Sequence, residues 1–250
     1  MTDSKVTPHK RFVLARSTAG SSDQPVEVYH LSHDLRGPLN SILGFSELLL
    51  EGVEGPLTEY QETDITAIRQ SAHNLLWLIN TLVDLSKLEA DRLKFDLAEV
   101  DLTDIIQKVV ILDFGGNKPE KVDLVADVPT ALPLIWGDRE RIEQMVASLV
   151  RFAFKRKKSG PVVISATGSD QTVTLQVNLS GVELSPAQLA DLFDLVVHMD
   201  KAGRSELGPG GLELPLVRGL AEKHNGRVGA ESNRDQGTIL SLQLPVSGRK

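Results

Sequence analysis

Apolar residues in the first third of the chain recur at steps of three and four. Val28, Leu31, Leu35, Pro38, Ile42, Phe45 and Leu49 share one stripe of a helical wheel, the pattern of a helix that packs against other helices. Pro25 suits a first helical turn, with Asp23 ahead of it and Glu27 within it, and Gly52, Gly55 and Pro56 break the pattern. The spacing therefore predicts a helix from Pro25 to about Glu51. A second stripe, Ile65, Ile68, Ala72, Leu75, Ile79 and Leu82, predicts a helix from about Thr58 to Arg92, its apolar face widened by Leu76, Leu78, Val83 and Leu85. Two long helices with a short connection make an antiparallel hairpin. This one carries apolar surface on too many sides to stand alone. Pairing two hairpins into a four-helix bundle buries that surface, so a homodimer is expected; packing against the rest of the same chain is the alternative.

Beyond Phe95 the period changes. Leu97 to Leu102 and Lys121 to Val128 pattern as strands, and Thr103 to Phe114 as a helix. Asp138 to Lys157 is amphipathic, with Ile142, Met145, Val146, Leu149 and Phe152 at helical spacing. Val162 to Ala166 and Thr172 to Val177 alternate and are joined at Gly168-Ser169-Asp170, a hairpin signal. Pro186 to Phe193 and Leu212 to His224 pattern as helices, Arg227 to Glu231 and Thr238 to Leu244 as closing strands. The expected fold class is α+β: a two-helix hairpin at 25–95, then a mixed layer domain at 96–250, with 1–24 a polar tail. The run Lys155-Arg156-Lys157-Lys158 reads as a solvated helix end.

Charge and composition narrow the function. A net charge of −7 argues against a nucleic-acid partner. The absence of cysteine removes disulfides and thiolate metal sites and is compatible with a reducing compartment. Apolar runs such as Leu48-Leu49-Leu50 are too short to cross a bilayer, and no signal-peptide core follows the basic residues near the amino terminus. A cytoplasmic location without a membrane span is the expectation.

On the register of the first helix His33 lies opposite the seam and faces water, where a partner can reach it. The stretch Ser32-His33-Asp34-Leu35-Arg36-Gly37-Pro38-Leu39 resembles the H-box of sensor histidine kinases, in which the histidine is the phosphate-accepting nucleophile. The resemblance extends from about Pro25 to Leu244. It implies a dimerisation and histidine-phosphotransfer hairpin followed by an ATP-binding sandwich of the GHKL type. It further implies that Asp34 bonds one ring nitrogen of His33 and fixes the tautomer, leaving the other nitrogen basic. Receivers of the family dock on the hairpin, so Asn40, Leu43, Gly44 and Glu47, which continue the His33 face, are the expected partner surface, with Leu43 an exposed apolar contact. Gly37 stands where members that dephosphorylate a receiver often carry Thr or Asn.

The nucleotide motifs depart from the family pattern. Phe152 stands where a magnesium-binding Asn is expected and Ser148 replaces another Asn, while Lys155 is retained. Leu179 replaces the Asp that accepts the adenine amino group; Gly181 is kept, and Glu183 takes the place of a following Gly. In the next motif Gly211 is kept and Glu213 replaces a Gly. A carboxylate near triphosphate repels it, and hard cations demand oxygen ligands. These residues lead to the expectation that Mg-ATP binding is lost and no cofactor is held. Glu183 and Glu213 are expected to face Lys155 across the vacated groove. The resulting reading is a histidine phosphotransferase that exchanges phosphate through His33 with a response-regulator receiver. An ATP-dependent autokinase with a divergent nucleotide site, and a non-catalytic dimeric scaffold, are the alternatives.

Overall fold

A computed structural model describes residues 24–53, 55–110, 122–195, 197–199, 205–207 and 210–248. The tail expected at 1–24, all but its last residue, and the end of the helix expected to reach Phe114 lie outside these. The first described elements are α1 (Gln24–Leu50) and α2 (Glu59–Glu89), antiparallel and packed against each other. Thr58 begins α2 with a capping box: its hydroxyl accepts from the Gln61 N–H while the Gln61 side chain accepts from the Thr58 N–H at 2.9 Å. Pro38 sits inside α1, and its missing N–H is the one that would have bonded the Asp34 carbonyl.

The layer domain follows as β1 (Leu97–Val100), α3 (Leu102–Lys108), β2 (Val122–Asp127), β3 (Ile135–Asp138), α4 (Arg139–Arg156), β4 (Gly160–Gly168), β5 (Thr172–Leu179), α5 (Pro186–Ala190), β6 (Val197–Met199), β7 (Ser205–Leu207), α6 (Glu213–Lys223), β8 (Arg227–Asn233) and β9 (Gly237–Pro245). The main sheet has the order β2-β4-β5-β9-β8; β2 and β4 are parallel and the remaining pairs antiparallel. Strands β1 and β3 form a separate antiparallel pair, as do β6 and β7.

The alternation seen in the sequence orients the sheet. Val162, Ile164 and Ala166 on β4, Val173, Leu175, Val177 and Leu179 on β5, and Leu240, Leu242 and Leu244 on β9 are all buried. Between them stand polar residues such as Gln176 and Ser241, whose side chains bond each other across the strands. The buried face forms one core with Ile142, Met145, Val146, Leu149 and Phe152 of α4 and Leu214, Val217, Leu220 and Ala221 of α6. Burying one leucine-sized side chain contributes about 1.5–3 kcal/mol, so this core dominates the domain's stability.

The hairpin packs differently from its predicted seam. Facing α2 from α1 are Leu39 and Leu43, which form a small core with Ala72, Ile79 and Leu76, while Leu35, Ile42 and Phe45 are exposed, Phe45 by 68 %. On α2, Ile68, Leu75 and Leu82 are exposed likewise. Leu43 is thus not an exposed partner contact: it is only 8 % exposed, against α2. Both stripes obey the three-four rule, and a hairpin uses one of them internally.

Candidate functional site

His33 and Asp34 lie on the outer face of α1, each with its side chain 80 % exposed, and His33 Nδ1 stands 3.5 Å from Asp34 Oδ1. One turn on, Arg36 donates through Nη2 to Asn80 Oδ1 at 2.9 Å. That bond sets the level of α1 against α2. Because the helices are antiparallel, Asp84, one turn beyond Asn80, comes level with His33. Asn40 and Glu47 are exposed and Gly44 is half-buried on the same helix.

Asp84 in turn receives the layer domain. Arg141 Nη1 and Gln144 Nε2, from the first turns of α4, donate to Asp84 Oδ2 at 2.9 and 2.8 Å. A cleft of about 530 Å³ lies beside this junction, lined in part by Arg36, Asn40, Asn80, Asp84, Arg141 and Gln144. Farther along α2, the Trp77 ring carries the Arg151 guanidinium at 4.8 Å and the Lys155 ammonium at 5.5 Å, each a cation over an electron-rich face. Lys223 of α6 bonds Asp91, just past the end of α2. The hydrogen bond and charge of Lys223 hold the Asp91 carboxyl below its ordinary pKa, whereas burial pushes Glu89 up. None of these partners share a sequence signature; Asp84 and Arg141 are 57 residues apart.

The start of α4 is built on a buried histidine. His224 Nε2 accepts from the Asp138 N–H at 3.0 Å, and Nδ1 is 2.8 Å from the Leu220 carbonyl. An acceptor at one nitrogen and a donor at the other require a neutral ring protonated on Nδ1. Phe95 meets the ring edge-on with centroids 5.2 Å apart. Asp138 caps α4 through the Arg141 N–H and accepts the Asp96 N–H at 2.8 Å, which fastens the inter-helical segment to the domain.

The positions aligned with nucleotide motifs gather around the ends of α4, β5 and the start of α6. Phe152 and Leu179 belong to the core. Ser148 is buried with its hydroxyl lacking a hydrogen-bond partner. Gly181 has a φ of +77° and open space where a Cβ would stand, and Gly211 has a φ of +60°. A Cβ on Gly210 would strike the Leu192 carbonyl, so backbone alone fits there. Lys155 pairs with Glu213, as the sequence suggested; Glu183 is exposed and does not join them. Nor is the basic run at the end of α4 wholly solvated, because Lys157 is buried and its ammonium donates to the Ser180 carbonyl.

A family model described as the His Kinase A (phospho-acceptor) domain matches residues 27–91. A second, described as the histidine kinase-, DNA gyrase B- and HSP90-like ATPase, matches residues 137–248. The chain belongs to the sensor histidine kinases. Among curated relatives, the histidine protein kinase DivJ of Caulobacter vibrioides is 34 % identical over 218 residues, covering 87 % of this chain and 36 % of the relative. Sensor protein GacS of Pseudomonas syringae pv. syringae is 32 % identical over 224 residues, covering 86 % of this chain and 24 % of the relative. The chain therefore spans about a quarter to a third of their length. The crystal structure of full-length ShkA in complex with AMPPNP superposes with a TM-score of 0.66 at 26 % identity, over 90 % of this chain and 47 % of that one. The Acinetobacter baumannii histidine kinase AdeS shares the fold, with a TM-score of 0.57 at 21 % identity over 86 % of this chain and 98 % of that one.

These matches overturn two expectations. The expected loss of ATP-dependent kinase activity, with phosphotransferase activity in its place, does not stand against an ATPase-family match over residues 137–248 and relatives named as histidine kinases. Nor does the expected absence of Mg-ATP as cofactor. A nucleotide site of this kind does not depend on each of these side chains singly. Much of the cradle is backbone, and Phe152 and Leu179 extend the core without closing Gly181 or the Gly210-Gly211 turn. The residues that fit an adenine nucleotide are the unpartnered Ser148 hydroxyl, the open backbone at Gly181 and the Lys155 ammonium, whereas the space beside Gly210 and Gly211 is filled by the Leu192 carbonyl and the Glu213 carboxylate. No group of three or more His, Cys, Asp or Glu side chains that could hold a metal ion occurs among the described residues. No described helix is long and apolar enough to cross a membrane.

Proposed function

We propose that residues 25–95 and 96–250 are the phospho-acceptor and ATP-binding domains of an autokinase that phosphorylates His33 and passes the group to a response-regulator receiver. The observation that carries the reading is the pairing of an exposed His33 beside Asp34 with a domain of the histidine kinase ATPase family in one chain. AMPPNP bound to the similar ShkA supports nucleotide as the phosphate source.

Mg-ATP supplies the phosphoryl group. A neutral His33 ring attacks through Nε2 when Nδ1 carries the proton, and Asp34 at 3.5 Å is placed to accept that N–H after a small side-chain rotation. As the new N–P bond forms and the bond to the leaving oxygen breaks, positive charge develops on the ring, and the Asp34 carboxylate stabilises it. The Asp84–Arg141–Gln144 junction holds α4 against the hairpin at the height of His33. The exposed apolar line of Leu35, Ile42, Phe45, Ile68, Leu75 and Leu82 supports a second copy forming a four-helix bundle. Asn40, Gly44 and Glu47 remain open to a receiver.

The test is incubation of the purified chain with γ-labelled Mg-ATP, followed by addition of a receiver domain. Acid-labile label on the chain, its transfer to the receiver, and its loss in His33→Ala are expected. Absence of label at millimolar Mg-ATP from a folded dimer sinks the autokinase reading.

A further inference from the structure

Glu213 is the least expected residue at the nucleotide site. It opens α6, yet its side chain is only 3 % exposed, whereas its partner Lys155 is 56 % exposed. A buried carboxylate needs compensation, and here the Lys155 ammonium provides it. The carboxylate folds back over Gly211, so that a Cβ added to this glycine would collide with Glu213 Oε2. The room left by a missing side chain at Gly211 is thus taken by an anion of the chain itself.

Three features that favour negative charge converge on that point: the bare backbone at Gly211, the start of α6, and the Lys155 ammonium. Lys155 is also steadied from the hairpin side, where its ammonium lies 5.5 Å from the centre of the Trp77 ring. The cation therefore keeps a second support when Glu213 moves away.

Resting on the reading of this domain as a nucleotide site, we infer that Glu213 is a resident substitute for nucleotide phosphate, occupying the anion position between Gly211 and Lys155 and setting how strongly the site selects against ligand charge. A polyphosphate entering the cradle competes with Glu213 for Lys155 and meets like charge until the carboxylate swings out. A nucleoside without phosphate meets no such opposition. Glu213 is a specificity-determining residue here, and the site's affinity for ATP is held down by the chain's own carboxylate.

The experiment compares Mg-ATP and adenosine binding to the full chain and to Glu213→Gln by titration calorimetry, with Trp77 fluorescence as a second readout; Trp136 is the chain's other tryptophan. Glutamine keeps the shape and removes the charge. Mg-ATP is expected to bind on the order of 10- to 100-fold more tightly to Glu213→Gln, the effect of one like-charge pair near a protein surface, while adenosine affinity stays unchanged. Glu213→Gly serves the same comparison if the glutamine variant does not fold. Equal tightening for both ligands overturns the inference, because it reports a loosened pocket. Unchanged Mg-ATP affinity in a chain that binds Mg-ATP overturns it and leaves the autokinase reading intact. Failure of both wild type and variants to bind Mg-ATP overturns both.

Discussion

The hairpin and the layer domain are both amphipathic, but they spend their apolar surface differently. In the layer domain the buried faces of β4, β5 and β9 meet α4 and α6, and one core absorbs them. In the hairpin the shared core is little more than Leu39, Leu43, Ala72 and Ile79, and a line of large apolar side chains stays outside it. The layer domain covers most of its apolar surface, whereas the hairpin leaves a line of it exposed. The junction between them is mixed: Leu85 and Leu88 of α2 join the layer-domain core, and Asp84, Trp77 and Asp91 add polar and cation–π contacts around them.

The sharpest way to break the comparison is to charge the hairpin's exposed line. Phe45→Glu combined with Ile68→Glu places unpaired ions where a second hairpin would bury them, a cost of several kcal/mol. Sedimentation should then show a monomer, while the layer domain keeps its unfolding transition. An unchanged dimer places the assembly surface elsewhere.

The next effect is catalytic and confined to the hairpin. Asp34→Asn leaves His33 in place but weakens the group proposed to hold its Nδ1 proton. Labelling of His33 should slow by about 10²–10⁴-fold, the usual range for assistance of this kind. A rate within a factor of about two of wild type removes Asp34 from the mechanism.

A third test acts on the self-contained half. His224→Ala strips the Asp138 N–H of its buried acceptor and leaves a cavity beside Phe95. An unsatisfied buried donor costs about 1–3 kcal/mol, so thermal unfolding of the layer domain should fall by several degrees with the hairpin's helicity retained. The smallest effect belongs to the junction. Asp91 has a lowered pKa in the folded chain because of Lys223. Its contribution is therefore present above the ordinary carboxylate range and lost as pH falls through the folded value. The pair is exposed, so Asp91→Asn should flatten only a slight acid-side slope in a pH series of melting curves.

Where local pattern and final structure coincide, the reason is short range. Both hairpin helices, α4, α6 and the strands β4, β5 and β9 lie within a few residues of their predicted bounds, because turn-by-turn burial and caps such as Thr58 and Asp138 act over a handful of residues. His33 is exposed as expected, although the stripe from which its outward position was read is itself exposed at Leu35, Ile42 and Phe45. The missed elements were short: β3 covers only Ile135–Asp138 and exists by pairing with β1, while β6 and β7 stabilise only each other within the described residues.

The amino-acid sequence by itself determined the two-part architecture, the placement of His33 and Asp34, and the family, since each rests on periodicity or on one contiguous motif. Tertiary structure alone decided which of two apolar stripes closes the hairpin, and so turned Leu43 inward. It alone brought Asp84 to Arg141, Trp77 to Lys155 and Glu213 over Gly211. A helical stripe states that a face must be covered, and a charge states that it must be paired. Which surface covers it and which partner pairs it depend on distances across the fold, and these arise only when the layers meet.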